Sequence, residues 1–200
     1  LDRVGHDNAS LLMHTDPFDG HGQNLIHIME HLGLDQGQVF FSTAKMPFDK
    51  LAEVYNAVDC TINISDAEGF GLATLESLSC GVPIVVNMTG GLQEQVTDGE
   101  NWFGIGIEPS SKAVIGSQDV PYIYEDRINN DDFVDALVKM YEMTPEERTQ
   151  LGAAGREHVL KNYNFETFTD NWVKTIDETI EKHGSWETRK NYNTYNFTEL

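Results

Sequence analysis

Basic residues are what this chain has least of. Thirteen Lys and Arg stand against 33 Asp and Glu, a formal net charge of −20 over 200 residues. Before Lys112 the only basic side chains are Arg3, Lys45 and Lys50. Nucleic-acid binding needs a basic face that displaces counterions from phosphates. A nucleic-acid or anionic-membrane partner is therefore not expected, and the acidic excess reads as solubility by self-repulsion. Cysteine is almost as scarce. Cys60 and Cys80 sit in neither a CxxC nor a zinc spacing, and both read as small buried residues. A disulfide between them would need a geometry that the sequence does not give, and a reducing, cytoplasmic location is the simpler reading. No apolar run approaches the ~20 residues that a membrane helix needs. The opening LDRVGHDNAS lacks the basic and apolar segments of a signal peptide. Asn8, Asn63, Asn87 and Asn196 match a glycosylation pattern. They are taken as chance matches, since Asn63 falls in a predicted buried strand.

What is present is ordinary for a globular protein: 40% hydrophobic and 10% aromatic residues, in a chain long enough for a sizeable core. Strand-like and helix-like stretches alternate. LLMHT (11–15) is a strand closed by Asp16-Pro17. Leu25, Ile28, Met29 and Leu32 recur at helical spacing and stop at Gly33. Val39-Phe40-Phe41 is a strand, 49–58 a helix, 60–64 a strand, 72–80 a helix and 83–86 a strand. Strands that read VFF and IVV, without polar alternation, are expected to be buried on both faces. Repeated strand–helix–strand units of this kind predict an α/β fold, a Rossmann-like parallel sheet with helices on both faces. Residues 103–107 read as a last strand and 108–129, with Pro109 and Pro121, as an irregular insertion. Helices follow over 131–143, from Thr144-Pro145-Glu146-Glu147 (a capping pattern), and over 165–183. The polar stretch 184–200 is expected to be a loosely ordered tail.

The densest chemical signal is SDAEGFGLATLESLSCGVPIVV, from Ser65 to Val86. Gly69 and Gly71 allow a tight turn and close approach of backbone to a ligand. The helix that starts at Leu72 presents unpaired N–H groups, which suit a phosphate. That turn sits at the carboxyl end of the 60–64 strand, where open α/β sheets bind ligands. Glu68 and Glu76 flank it. A carboxylate accepts two hydroxyl protons and fixes a diol, so Glu76 is placed for a ribose and Glu68 for a sugar. An anion site between two diol acceptors describes a nucleotide-sugar. Taken singly, Glu68 also fits a helix-capping acid and Glu76 a solvated helix residue.

Glu68-Gly69-Phe70-Gly71-Leu72, then Leu75-Glu76, then Gly81-Val82-Pro83-Ile84-Val85 resembles the donor-site signature of retaining GT-B glycosyltransferases of family 4. Gly90-Gly91, Glu94 and the Asp98-Gly99 turn continue the pattern. The resemblance implies a nucleotide-sugar-binding domain over 1–183, the C-terminal half of a GT-B fold. It implies that Glu76 binds ribose hydroxyls and that amides around Gly69, Phe70, Gly71 and Leu72 bind the diphosphate. It makes Glu68 the catalytic residue that holds the transferred sugar, as a binder rather than as an acid or base. Lys45 and Met46 would contact the base, and Gly90 and Gly91 would line the same cleft. No metal or other cofactor is implied. The family's diphosphate-binding Arg and Lys lie in a strand–helix unit with no counterpart before Leu11. The expectation is therefore the donor-binding part of a longer enzyme, inactive alone, whose unknown acceptor is bound by a missing N-terminal domain. Loss of a central strand also predicts self-association.

Other readings remain at this stage. One is a non-catalytic nucleotide-binding remnant. A second is a metal-binding module built on His14, Asp16, Asp19, His21, His27 and His31. A third is a dinucleotide oxidoreductase, disfavoured because Thr74 stands where its third glycine or alanine belongs.

Overall fold

A computed structural model describes residues 1–190. The chain divides into two compact units, the first Leu1–Arg156 and the second from Glu157 onward.

In the first unit, strands and helices alternate as β1 (Leu11–His14), α1 (Leu25–His31), β2 (Val39–Ser42), α2 (Phe48–Asn56), β3 (Thr61–Asn63), α3 (Leu72–Ser79), β4 (Ile84–Asn87), α4 (Leu92–Val96) and β5 (Gly104–Ile107). Strands β3, β4 and β5 form a parallel sheet in that order, with Val85 beside Ile62 on one side and Ile105 on the other. Each return to the sheet runs through a helix, so the strands stay parallel. β4 is the central strand, and its Ile84, Val85 and Val86 are fully buried. Val85, Ile105, Ile107, Ala136 and Met140 form one apolar cluster, against which Ile62, Cys60, Phe133 and Leu137 pack. Phe133 and Leu137, with Ala136 and Met140, form the apolar face of α5 (Asn130–Glu142), which covers β4 and β5.

The second parallel pair is β1 with β2. Here a sequence expectation fails. β2 was predicted to be buried on both faces, yet Phe40 is 51% exposed. Among the described residues β2 pairs only with β1, so it lacks the second flanking strand that β4 has.

The stretch 108–129 is also corrected. It holds an antiparallel hairpin of β6 (Ser111–Ile115) and β7 (Ile123–Arg127), from Ser111 opposite Arg127 to Ile115 opposite Ile123. The unit ends at Arg156, part-way along α6 (Pro145–Asn162). The start of α6 is the expected capping box: Glu147 N–H donates to Thr144 Oγ1 (3.2 Å), and Thr144 N–H donates to the Glu147 carboxylate (2.7 Å).

The second unit carries α7 (Phe165–His183), capped by Asn164, whose side chain accepts from Thr167 N–H at 2.8 Å. Phe168 stacks edge-on against Trp172 (6.2 Å between ring centroids). The division at Arg156 differs from the single domain read over 1–183. Residues 184–190 follow α7, and the rest of the expected tail lies outside the described residues. Among the described residues no helix is long and apolar enough to cross a membrane.

Candidate functional site

The site gathers at the carboxyl ends of β3 and β4. Asn63 ends β3, and its side-chain Oδ1 accepts from Ser65 N–H (3.1 Å) while its side-chain Nδ2 donates to Glu68 Oε2 (3.4 Å). The other Glu68 oxygen accepts from Gly69 N–H at 3.0 Å. The Glu68 carboxylate is thus held at the lip of the turn, half-buried, with acceptor capacity to spare.

Gly71 follows as the N-cap of α3, at φ +86°, a left-handed conformation that glycine adopts without strain. A Cβ there would stand 2.6 Å from Leu92 Cδ2 and 2.8 Å from Thr74 Oγ1. No side chain caps the first turn of α3. Its first backbone N–H groups lie at the positive end of the helix dipole, a geometry that suits an anion. Phe70 and Leu72 are exposed beside it.

A buried polar network fixes this turn from behind. Gln95 of α4 is fully buried. Its amide donates to the Phe70 and Gly71 carbonyls (2.5 and 3.1 Å), and its own carbonyl accepts from Thr74 Oγ1 (2.6 Å). Gly90 and Gly91 belong to the same support. A Cβ on Gly90 would fall 1.7 Å from the Glu68 carbonyl oxygen, and one on Gly91 would fall 2.6 Å from that of Phe70. Gly91 N–H donates to Gly69 O at 3.2 Å. The glycine pair is brought against the Glu68–Phe70 backbone, closer than any side chain would permit.

The hairpin reaches the same loop. Asn87, fully buried at the end of β4, donates both amide protons, to Ser65 O (2.9 Å) and to Asp126 O (2.5 Å). Asp126 N–H donates to Asp66 O at 2.7 Å. The Asp126 carboxylate accepts from Thr89 Oγ1 (2.8 Å) and pairs with Lys112 (3.2 Å). The Thr89 hydroxyl, then Lys112, hold its pKa below the ordinary carboxylate value. Asn87 Oδ1 is buried without a hydrogen-bond partner.

Glu76 lies one turn into α3, and its Oε2 accepts from the Tyr55 phenol at 2.9 Å in a half-buried contact. Burial, then the Glu76 carboxylate, push the Tyr55 pKa well above its usual value near 10. Lys45 and Met46 lie in the loop between β2 and α2, Lys45 exposed and Met46 half-buried, in the segment that continues into the helix bearing Tyr55. The structure thus places Glu68, Gly69, Phe70, Gly71 and Leu72 in one turn, with Gly90 and Gly91 packed against its backbone. Glu76 joins them through α3.

Sequence reasoning did not find Tyr55, Asn63, Asn87, Thr89, Gln95 or Asp126. Tyr55 lies on the apolar stripe of α2 and reads as core. Asn87 carried a signal of sorts, as the polar residue at the end of an otherwise apolar buried run, whereas Gln95 follows two exposed polar residues and carried none. The histidine-rich turn gives no metal centre: among the described residues no group of three or more His, Cys, Asp or Glu could hold a metal ion. His14 Nδ1 instead shares a hydrogen bond with Ser42 Oγ (3.0 Å).

The family profile described as glycosyl transferases group 1 matches residues 19–158. The chain belongs to that family. A curated D-inositol 3-phosphate glycosyltransferase of Acidothermus cellulolyticus is 44% identical over 83 residues, 41% of this chain and 18% of that protein. Its counterpart in Nocardiopsis dassonvillei is 30% identical over 133 residues, 66% of this chain and 24% of that protein. The chain thus spans at most about a quarter of the length of these curated relatives. Among solved structures, sucrose-phosphate synthase from Thermosynechococcus elongatus superposes with a TM-score of 0.62 at 21% identity, over 88% of this chain and 39% of that one. The Anabaena protein HepE, in complex with UDP and glucose, gives 0.54 at 18% identity, over 90% and 50% of the two chains. These likenesses establish the GT-B-type fold of this glycosyltransferase-family chain.

Proposed function

We propose that this chain binds the nucleotide-diphosphate sugar donor of a retaining, family 4 type glycosyltransferase. The observation that carries the reading is the uncapped N-terminus of α3, fixed by Gln95 and the Gly90-Gly91 pair between two held carboxylates. In this reading the α3 amides take the diphosphate, Glu76 accepts the ribose hydroxyls, Glu68 accepts hydroxyls of the transferred sugar, and the Lys45–Met46 loop meets the base.

In the reaction the bond from the anomeric carbon to the diphosphate breaks, and the acceptor oxygen bonds that carbon with the configuration retained. Charge grows on the departing diphosphate, so N–H dipoles already aimed at it stabilise the transition state more than the ground state. No metal is assigned a role, and the cytoplasm supplies the setting for two free thiols.

The acceptor belongs to the longer enzyme, and we expect no sustained transfer by this chain alone. Sugar transfer to an added acceptor by the purified chain would overturn that part. Self-association is a further part of the reading. Among the described residues β1 pairs only with β2 and β3 only with β4, so each keeps an unpaired edge. A monomer at high concentration in the ultracentrifuge contradicts it.

Glu68→Gln separates the two carboxylates. Against a panel of UDP, GDP and ADP with their glucose and mannose conjugates, ligand-observed NMR should show the conjugate weakened about tenfold and the parent diphosphate unchanged, the scale of one charge-assisted hydrogen bond. Equal weakening of both would remove Glu68 from the sugar.

A further inference from the structure

Glu76 does not stand in the site as a free carboxylate. The Tyr55 phenol, brought from α2, donates to its Oε2 at 2.9 Å, and both residues are half-buried. A carboxylate has about four acceptor directions on its two oxygens. The phenol takes one and leaves the other oxygen and part of its own for further donors. It also fixes the rotamer of a side chain that otherwise loses much freedom on binding. A held acceptor gains selectivity, because its geometry suits one arrangement of donors.

We propose that Tyr55 sets the preference of this site for ribonucleotides, by holding Glu76 in the orientation that accepts a vicinal ribose diol. The inference rests on the reading of Glu76 as the ribose acceptor and adds to it the residue that gives the contact its discrimination. Tyr55 is a positioning residue: it touches the acceptor and not the ligand. Its phenol stays protonated throughout the physiological range, since burial and the neighbouring carboxylate oppose its ionisation. It is therefore a donor to Glu76 throughout that range. A mere tie between α2 and α3 predicts something else: Tyr55→Phe would lower stability and weaken all ligands alike, without regard to their sugar hydroxyls.

The test uses the whole chain and pairs each of UDP, GDP and ADP with its 2′-deoxy form, titrated by calorimetry against wild type and Tyr55→Phe. Wild type should favour the ribo form. Tyr55→Phe should cut that preference about tenfold, one hydrogen bond's worth, and leave affinity for the deoxy form within about twofold. In a Glu76→Ala background Tyr55→Phe should change nothing further, which guards against a folding artefact. If Tyr55→Phe keeps the full ribose preference, or loses ribo and deoxy affinity in parallel, the inference falls and the reading of Glu76 stands. If wild type binds neither form, or both equally, the reading of Glu76 falls and takes the inference with it.

Discussion

Replacing Gln95 by Leu keeps roughly the volume of the side chain and deletes its chemistry. Gln95 is fully buried and makes its hydrogen bonds to the Phe70 carbonyl, the Gly71 carbonyl and the Thr74 hydroxyl. A neutral intramolecular hydrogen bond contributes about 0.5–1.5 kcal/mol net, and a buried polar group robbed of its partner costs about 1–3 kcal/mol. Gly71 O keeps the Thr74 hydroxyl at 2.8 Å and Leu75 N–H at 3.1 Å, so it is not orphaned. The Leu side chain regains some transfer energy, which offsets part of the loss. The expected net destabilisation is about 2–4 kcal/mol, or a fall in Tm of about 5–15 °C for a chain of this size. Urea unfolding followed by circular dichroism measures it. The same variant should lose nucleoside-diphosphate binding at temperatures where it is still folded, because the α3 amides lose the support that aims them. A loss below about 1 kcal/mol, with binding intact, would refute the claim that Gln95 fixes the turn.

Other perturbations bear on neighbouring parts of the account. Gly90→Ala combines a left-handed φ of +50° with a Cβ placed on the Glu68 carbonyl oxygen. It should cost more than about 2 kcal/mol, and a thermal melt indistinguishable from wild type would contradict the close approach. Thr89→Val removes the hydroxyl that lowers the Asp126 pKa. It should raise that pKa in an NMR titration and leave the Lys112 pair as the chief remaining influence. An unchanged Asp126 titration would exclude the contact. Burial, then Asp59, push the Cys60 thiol up to about 11 from its ordinary value near 9. The folded state therefore holds this proton more tightly than the unfolded one. Its contribution is fully present below about pH 9 and is lost as pH rises towards about 11, by up to about 3 kcal/mol. Cys60→Ser should flatten that alkaline decline, and a slope that persists unchanged would assign it elsewhere.

The turn between β3 and α3 was legible because its signals are local. Gly69 and Gly71 state the backbone geometry, and the acids flank it at fixed offsets. The buried character of β4 was equally plain in Ile84-Val85-Val86. The hairpin was hidden because β6 and β7 present polar and apolar residues on both faces and are joined by a long loop that carries Pro121 rather than by a two-residue glycine turn. α4 is five residues long and carries too few positions for a helical period to show. The exposure of Phe40 could not be read locally, since a strand's burial depends on how many neighbours it pairs with. The support of the site was hidden for a related reason. Tyr55, Asn87, Gln95 and Asp126 matter through single hydrogen bonds to residues distant in sequence, and no periodicity records such a bond.

The most direct test of the central claim is calorimetric titration of the chain with UDP, GDP and ADP, beside the Glu76→Ala variant. The account predicts saturable binding of one of these diphosphates and its loss in Glu76→Ala at unchanged thermal stability. Absence of binding to wild type, or binding that Glu76→Ala leaves as tight, would contradict it.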